Sequence, residues 1–155
     1  MKKIFVVTMA LLMCCMFMGC GVKAQLVGTW KSSNTEEESD EGYKFSTKTD
    51  ITLNINKDGT YSQVIVTTET YTPTIGDPES ETVTEKLSGT WYYHDSDKVI
   101  LKTTNYSVQE GDEDPEVDNN VSYMSAELVL VDDILFVDFG STIFGSSIFE
   151  FTKAK

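Results

Sequence analysis

Arginine is absent from the sequence, so lysine is its only strong base. Lysine and arginine together number 12 against 25 acidic side chains, and the formal net charge is −13 at pH 7. Nucleic-acid binding needs cationic groups that neutralise phosphates, so this balance argues against nucleic-acid partners. It also argues against adsorption of the protein surface to anionic lipid. We expect the acidic surface to keep the protein soluble.

Cysteine is confined to the first twenty residues, as Cys14, Cys15 and Cys20. The rest of the chain therefore has no disulfide, no thiol nucleophile and no cysteine-based zinc site. A long apolar run is likewise missing after the N-terminal segment, so no later stretch is predicted to span a membrane as a helix.

Histidine occurs once, as His94 in the turn His94-Asp95-Ser96-Asp97, where we expect it to be exposed. No Gly-x-Ser-x-Gly elbow accompanies it, and no nucleophile, base and orienting group converge in the pattern. The sequence therefore predicts no enzyme activity and no catalytic residues. One histidine without cysteine is also a poor zinc site.

The N-terminal segment reads as an export signal. Lys2 and Lys3 precede an apolar run from Ile4 to Met18. Phe17-Met18-Gly19-Cys20 resembles a lipobox, which predicts removal of residues 1–19 and lipid attachment to Cys20. Cleavage after Val22-Lys23-Ala24, an ordinary secretory site, is the alternative. The protein is then either lipid-anchored in the bacterial cell envelope, at the outer membrane, or soluble in the periplasm or secreted.

One phrase occurs twice, as Leu26-Val27-Gly28-Thr29-Trp30-Lys31 and as Leu87-Ser88-Gly89-Thr90-Trp91-Tyr92. Both copies are typical of strands, and a glycine inside a strand indicates a bulge, a bend or a close backbone approach. We expect both indoles to lie in the core rather than on a ligand. The predicted structural motif of the barrel is Gly28, Trp30, Gly89 and Trp91.

Alternating apolar and polar residues predict further strands along the rest of the chain. They cover Tyr43–Asn56, Thr60–Thr72, Thr82–Tyr93, Lys98–Val108, Val121–Val131, Ile134–Phe139 and Ser147–Thr152. Hairpin turns are indicated at Lys57-Asp58-Gly59 and Asp132-Asp133. Acidic loops are expected over Ser32–Gly42 and Gln109–Asn120.

About eight antiparallel strands in chain order predict an all-β domain over residues 26–155. An up-and-down meander of this size commonly closes into a barrel, which removes exposed sheet edges. A two-sheet β-sandwich built from the same strands is the alternative architecture.

The order of these motifs resembles the lipocalin-like proteins of the calycin superfamily, in the small exported form found in Bacteroides-type bacteria. The residues that carry the resemblance are Leu26–Lys31, Lys57-Asp58-Gly59-Thr60-Tyr61, Gly89-Thr90-Trp91 and Asp97–Leu101. The resemblance implies a lipocalin-like barrel. This sequence departs from the family in two features. True lipocalins pack a late-strand arginine across the first tryptophan, whereas this sequence has no arginine. They also carry a helix near the C-terminus, whereas the last predicted element here is the strand Ser147–Thr152.

Oxygen ligands for calcium are available between Asp112 and Asn120 and, more weakly, at Glu36–Glu38. The EF-hand glycine is missing and Pro115 interrupts the run, so we expect a solvated loop and no metal site or cofactor.

Two functions remain open from the sequence. The first is a binding protein whose barrel holds a small apolar molecule, uncharged or cationic because no arginine is available for an anionic head group. The second is a ligand-free surface or periplasmic interaction protein with a filled barrel. In either case contact with a membrane is expected only through a lipid anchor.

Overall fold

The computed structural model describes residues 24–40, 42–94, 99–118, 125–138 and 148–154. Cys20 and the rest of the proposed signal segment lie outside these ranges, as does the predicted turn at Asp95–Asp97. The same holds for parts of the predicted strands, namely Lys98, Val121–Met124, Phe139 and Ser147. Nine β-strands are present in the described ranges. They are β1 (Gly28–Asp40), β2 (Tyr43–Ile55), β3 (Thr60–Pro73), β4 (Glu79–Tyr93), β5 (Val99–Glu110), β6 (Glu116–Asp118), β7 (Ser125–Val131), β8 (Ile134–Asp138) and β9 (Ile148–Lys153).

Eight of these strands form a closed antiparallel barrel. Their order is β1-β2-β3-β4-β5-β7-β8-β9, and β9 pairs with β1 to complete the ring. The short strand β6 lies outside this ring and pairs with β5. The all-β meander barrel predicted from the sequence is therefore confirmed, and the alternative two-sheet sandwich is wrong.

The first acidic loop predicted from the sequence is wrong over most of its length. Ser32–Asp40 continues β1, and its residues pair one by one with Tyr43–Ile51 of β2. Their side chains are almost all exposed, so the strand buries nothing that would reveal it in the sequence. Main-chain pairing with β2 fixes its conformation instead.

The second acidic loop, predicted over Gln109–Asn120, is wrong in two places. β5 continues to Glu110, and Glu116–Asp118 forms β6 against Tyr106–Val108. Asp112, Glu113 and Asp114 lie between them, in the turn and irregular backbone that the sequence predicts.

Both hairpin turns are confirmed. Thr60 donates its backbone N–H and its hydroxyl to Asp58 Oδ1, over 3.0 and 2.7 Å. Asp132 and Asp133 both have positive φ, the conformation of a tight two-residue hairpin.

The barrel has two parts because its strands differ in length. β1–β5 contain 12 to 15 residues, whereas β7, β8 and β9 contain 7, 5 and 6. The long strands therefore extend past the short ones. We call this extension, with β6, the distal sheet. It comprises Ser32–Asp40, Tyr43–Asp50, Val66–Pro73, Glu79–Lys86, Tyr106–Glu110 and Glu116–Asp118.

Below the distal sheet lies the barrel core, whose apolar side chains share one face of the sheet. We call that face, along the whole length of the strands, the inner face. The buried apolar residues are Leu26, Trp30, Ile51, Leu53, Ile55, Tyr61, Ile65, Trp91, Val99, Leu101, Ala126, Leu128, Leu135, Val137 and Phe151. All are at most 5% exposed, so these side chains form a closely packed core.

Candidate functional site

Trp30 lies at the end of the core farthest from the distal sheet. Its side chain is 1% exposed, and Nε1 donates to the carbonyl of Leu26 over 2.8 Å. Leu26 belongs to the helical residues 24–26 that precede β1, and it is buried in the core beside this indole.

Lys153 of β9 packs over Trp30, with Nζ 5.2 Å from the ring centroid. The same Nζ donates to the carbonyl of Gln25 over 2.6 Å. A lysine on a late strand therefore takes the place that the resemblance assigns to an arginine. Gly28 leaves room for it, because a Cβ there would lie 2.7 Å from Lys153 Cε, and its φ of 143° also favours glycine.

Trp91 is 5% exposed and donates Nε1 to the carbonyl of Asn56 over 2.9 Å. The prediction that both indoles are buried is confirmed. Gly89, two residues before Trp91, lies at a bulge where Thr104 of β5 has no register partner in β4. A Cβ at Gly89 would lie 2.0 Å from the carbonyl oxygen of Lys102, so glycine is required by close backbone approach.

A polar pair crosses the core over Gly89. Tyr61 of β3 and Thr103 of β5 are both register partners of this glycine, one on each side. Their hydroxyls are joined by a buried hydrogen bond of 2.6 Å. Burial raises the pKa of the Tyr61 phenol, and the bond to Thr103 opposes that shift only in part.

Two further polar residues lie where the core meets the distal sheet. Glu85 is 9% exposed and accepts a hydrogen bond of 2.5 Å from Tyr106 Oη. Gln63 is 1% exposed, and its Nε2 has no hydrogen-bond partner among the described residues. The two lie on neighbouring strands of the inner face, since Gln63 pairs with Leu87 and Ile65 pairs with Glu85. A buried donor without a partner is destabilising, and an ordered water or a ligand can supply the acceptor.

Acidic side chains occupy the inner face of the distal sheet. Residues two apart along a strand share a face, so the buried members of each strand and the strand register identify this face. We call this set the inner acids. They are Glu36, Glu38, Asp40, Glu69, Glu79, Glu81, Glu85, Glu110, Glu116 and Asp118.

The lysines of the distal sheet lie on its other face. Lys44 and Lys48 of β2 and Lys86 of β4 alternate with the inner positions. On this outer face Lys44 Nζ lies 2.9 Å from Glu37, and Lys48 Nζ lies 2.7 Å from Asp50. The two faces of one sheet therefore differ strongly in charge.

Aromatic residues lie among the inner acids. Tyr43 and Tyr71 are stacked with ring centroids 5.9 Å apart, and about two fifths of each side chain is exposed. Phe45, the register partner of Tyr71, is half-buried on the same face. Stacked rings beside carboxylates offer a surface for a flat apolar group with a polar or cationic end.

Of the candidate calcium ligands from the sequence, Glu36, Glu38, Glu116 and Asp118 lie among the inner acids, whereas Asp112, Glu113 and Asp114 lie in the turn between β5 and β6. His94 is exposed in a bend after β4. No three His, Cys, Asp or Glu side chains in the described part of the chain are grouped so that they could hold a metal ion. A cleft lined by Gln25, Leu130, Asp132 and Asp133 lies elsewhere on the barrel.

Sequence reasoning missed Gln63, Glu85 and most of the inner acids. The signal was present in the spacing: Glu36, Glu38 and Asp40 recur with period two, as do Glu79 and Glu81. That period shows which residues share a face but not which face it is, because no apolar partner in these segments marks the interior.

No protein-family model matches the chain, and no curated protein matches it. Among the residues that the structure describes, no helix is long and apolar enough to cross a membrane. The closed eight-stranded antiparallel barrel is compatible with a lipocalin-like fold.

Proposed function

We propose that the protein is an exported, non-catalytic binding protein of lipocalin-like fold, and that the inner face of the distal sheet holds a small, largely apolar ligand. The observation that carries this proposal is a half-buried band on the inner face, between the packed core and the outermost inner acids. The band consists of Val83, Leu87, Tyr106 and Val108 on the paired strands β4 and β5. Concave, mostly apolar surfaces with a few polar groups are typical of ligand sites.

The ligand lies above the core rather than within it. Core side chains such as Leu53, Leu135 and Val137 are 0% exposed, and a ligand among them would have to displace them. The site therefore lies on the distal part of the inner face and not at the barrel centre, where the sequence suggests it.

A ligand-free interaction protein is the second candidate function. The packed core favours it, because a barrel filled by its own side chains needs no ligand to be stable. On that account the half-buried band of the distal sheet would remain unoccupied by small molecules.

Binding of the neutral probe N-phenyl-1-naphthylamine separates the two candidates. We expect the probe's fluorescence to rise when the full-length chain is added. The rise should be absent with the Val83→Arg variant, which places a charge in the band. Thr84→Arg is the matched control, since it adds the same group one residue away on the outer face. No fluorescence rise with the unaltered protein, or equal loss in both variants, would favour the ligand-free function.

The export part of the proposal rests on the N-terminal sequence, with lipid on Cys20. Intact-mass measurement of protein from its native host should give a chain that begins at Cys20 and carries added lipid mass. A mature chain that begins at Gln25 without lipid would replace the lipoprotein by a soluble exported protein.

A further inference from the structure

The inner face of the distal sheet places like charges directly opposite each other. Glu69 of β3 and Glu81 of β4 are register partners on this face. Cross-strand pairs of like charge are destabilising, and the neighbouring lysines Lys48 and Lys86 lie on the outer face. A cation on the inner face would relieve this repulsion.

Glu85 provides the deepest of these carboxylates. It is nearly buried, and its hydrogen-bond donor is the neutral hydroxyl of Tyr106. The ion pairs Lys44–Glu37 and Lys48–Asp50 lie on the outer face, and neither lysine pairs with Glu85. A carboxylate removed from water is stabilised chiefly by an opposite charge with a hydrogen bond.

Gln63 adds an independent requirement beside this carboxylate. Its Nε2 is a donor without an acceptor. Gln63 lies on the inner face, two residues along β3 from Ile65, which is the register partner of Glu85. Because Nε2 is buried, the Gln63 side chain has to turn toward a ligand on the inner face for that ligand to supply the missing acceptor. The carboxylates of the inner acids attract a positive charge, whereas the amide N–H of Gln63 needs an oxygen or nitrogen lone pair as its acceptor.

A metal ion does not meet both requirements. Nothing in the described ranges groups three metal-ligating side chains, and a metal cation cannot accept a hydrogen bond from Gln63. The apolar band of Val83, Leu87 and Val108 also adjoins the polar residues, which suits a carbon skeleton.

We propose that the ligand is a small organic cation, an amine on an apolar or aromatic skeleton with a hydrogen-bond acceptor close to the charge. Its ammonium group pairs with Glu85, and its acceptor receives the Nε2–H of Gln63. The inner acids hold the positive charge during entry, and the apolar part covers the half-buried band. This assignment rests on the proposed function, since it names the ligand class for the same site.

Calorimetric titration of the full-length chain with three phenyl compounds tests the charge. Phenethylamine is a cation at neutral pH, 2-phenylethanol is neutral and phenylacetate is an anion. At about 0.15 M salt, which screens diffuse surface attraction, phenethylamine should bind at least about tenfold more tightly than 2-phenylethanol. That ratio is the effect of one charge-assisted hydrogen bond. Phenylacetate should give no heat of binding.

Glu85→Gln removes the charge and keeps the shape of the side chain. It should reduce the preference for phenethylamine to less than about threefold. Glu37→Gln is the matched control, because Glu37 lies on the outer face and pairs with Lys44. The control should keep the full preference.

The acceptor is tested with 2-amino-1-phenylethanol, which adds one hydroxyl to phenethylamine. We expect this hydroxyl to tighten binding by about fivefold, in line with one hydrogen bond. Gln63→Leu should abolish that gain. The variant should fold, because it replaces an unpartnered amide by an apolar group in an apolar setting.

Equal affinity for phenethylamine and 2-phenylethanol would overturn this inference, and so would a cation preference that survives Glu85→Gln. If N-phenyl-1-naphthylamine still binds and Val83→Arg still blocks it, the proposed function stands and only the ligand class is wrong. Failure of that neutral probe would contradict the proposed function itself.

Discussion

At the scale of single residues, the lack of a side chain at Gly89 allows two contacts, one of the backbone and one between its neighbours. Its backbone comes so close to Lys102 that a Cβ would overlap the carbonyl oxygen. The empty position on the inner face also leaves the space through which Tyr61 reaches Thr103. Sterics and hydrogen bonding therefore both require glycine at this position.

Gly89→Ala should lower the free energy of unfolding by about 1–3 kcal/mol, the range for overpacked core positions. Gly111→Ala is the comparison, since nothing lies within 4 Å of its added Cβ and only its positive φ opposes the change. Urea denaturation of both variants measures the difference. A smaller loss in Gly89→Ala than in Gly111→Ala would contradict the close approach.

Tyr61→Phe tests the buried phenol through the dependence of stability on pH. Burial raises the folded-state pKa of Tyr61 above the ordinary value of 10.0. The unfolded chain then releases this proton first, so stability is retained below pH 10 and falls as the pH rises further.

Tyr61→Phe should make that alkaline loss shallower, although Tyr93, whose pKa burial also raises, still contributes. Below pH 10 the variant should be less stable than the unaltered protein, because Thr103 loses its partner. Urea titrations on either side of pH 10 measure both effects. An unchanged alkaline slope would show that Tyr61 ionises as freely as in the unfolded chain.

At this scale the sequence predicted the residues whose role is local. The repeated phrase indicates a strand with a constrained glycine and a buried indole, and Trp30 and Trp91 are both buried. It did not predict that Lys153 packs over Trp30. That contact joins the two ends of the barrel chain, and only closure of the sheet brings them together.

At the scale of elements, prediction succeeded where one face of a strand is apolar. β2, for example, alternates Ile51, Leu53 and Ile55 with polar residues, and its predicted bounds agree with the structure to one residue. The distal part of β1 has polar side chains on both faces, so periodicity carries no signal there. Its strand conformation comes from pairing with β2, which a single segment of sequence does not reveal.

The distal sheet should open more readily than the barrel core. Its residues bury little apolar surface, and local stability follows burial. Amide hydrogen exchange under native conditions should therefore show lower opening free energies for Thr47, Thr67 and Thr82 than for Leu53 and Leu101. Equal protection in the two regions would contradict the division of the barrel into two parts.

At the scale of the whole molecule, the charges that sum to −13 are not spread evenly over the surface. In the distal sheet the inner face carries acids without lysines, whereas the outer face carries Lys44, Lys48 and Lys86. The sequence predicts an uncharged or cationic ligand, because its composition disfavours an anionic one, and this stays a prediction. It could not place the site, since each side chain's face depends on strand register throughout the barrel.

The central claim is that the inner face of the distal sheet holds the ligand, and the side-chain amide of Gln63 reports on it most directly. Its Nε2H₂ signals in a ¹H–¹⁵N spectrum are identified by their loss in Gln63→Leu. Titration with 2-amino-1-phenylethanol should shift them with the dissociation constant found by calorimetry. The side-chain amide signals of Asn105, whose Nδ2 donates a hydrogen bond to Ser88 on the outer face, should not shift. Shifts at Asn105 with none at Gln63 would contradict the account.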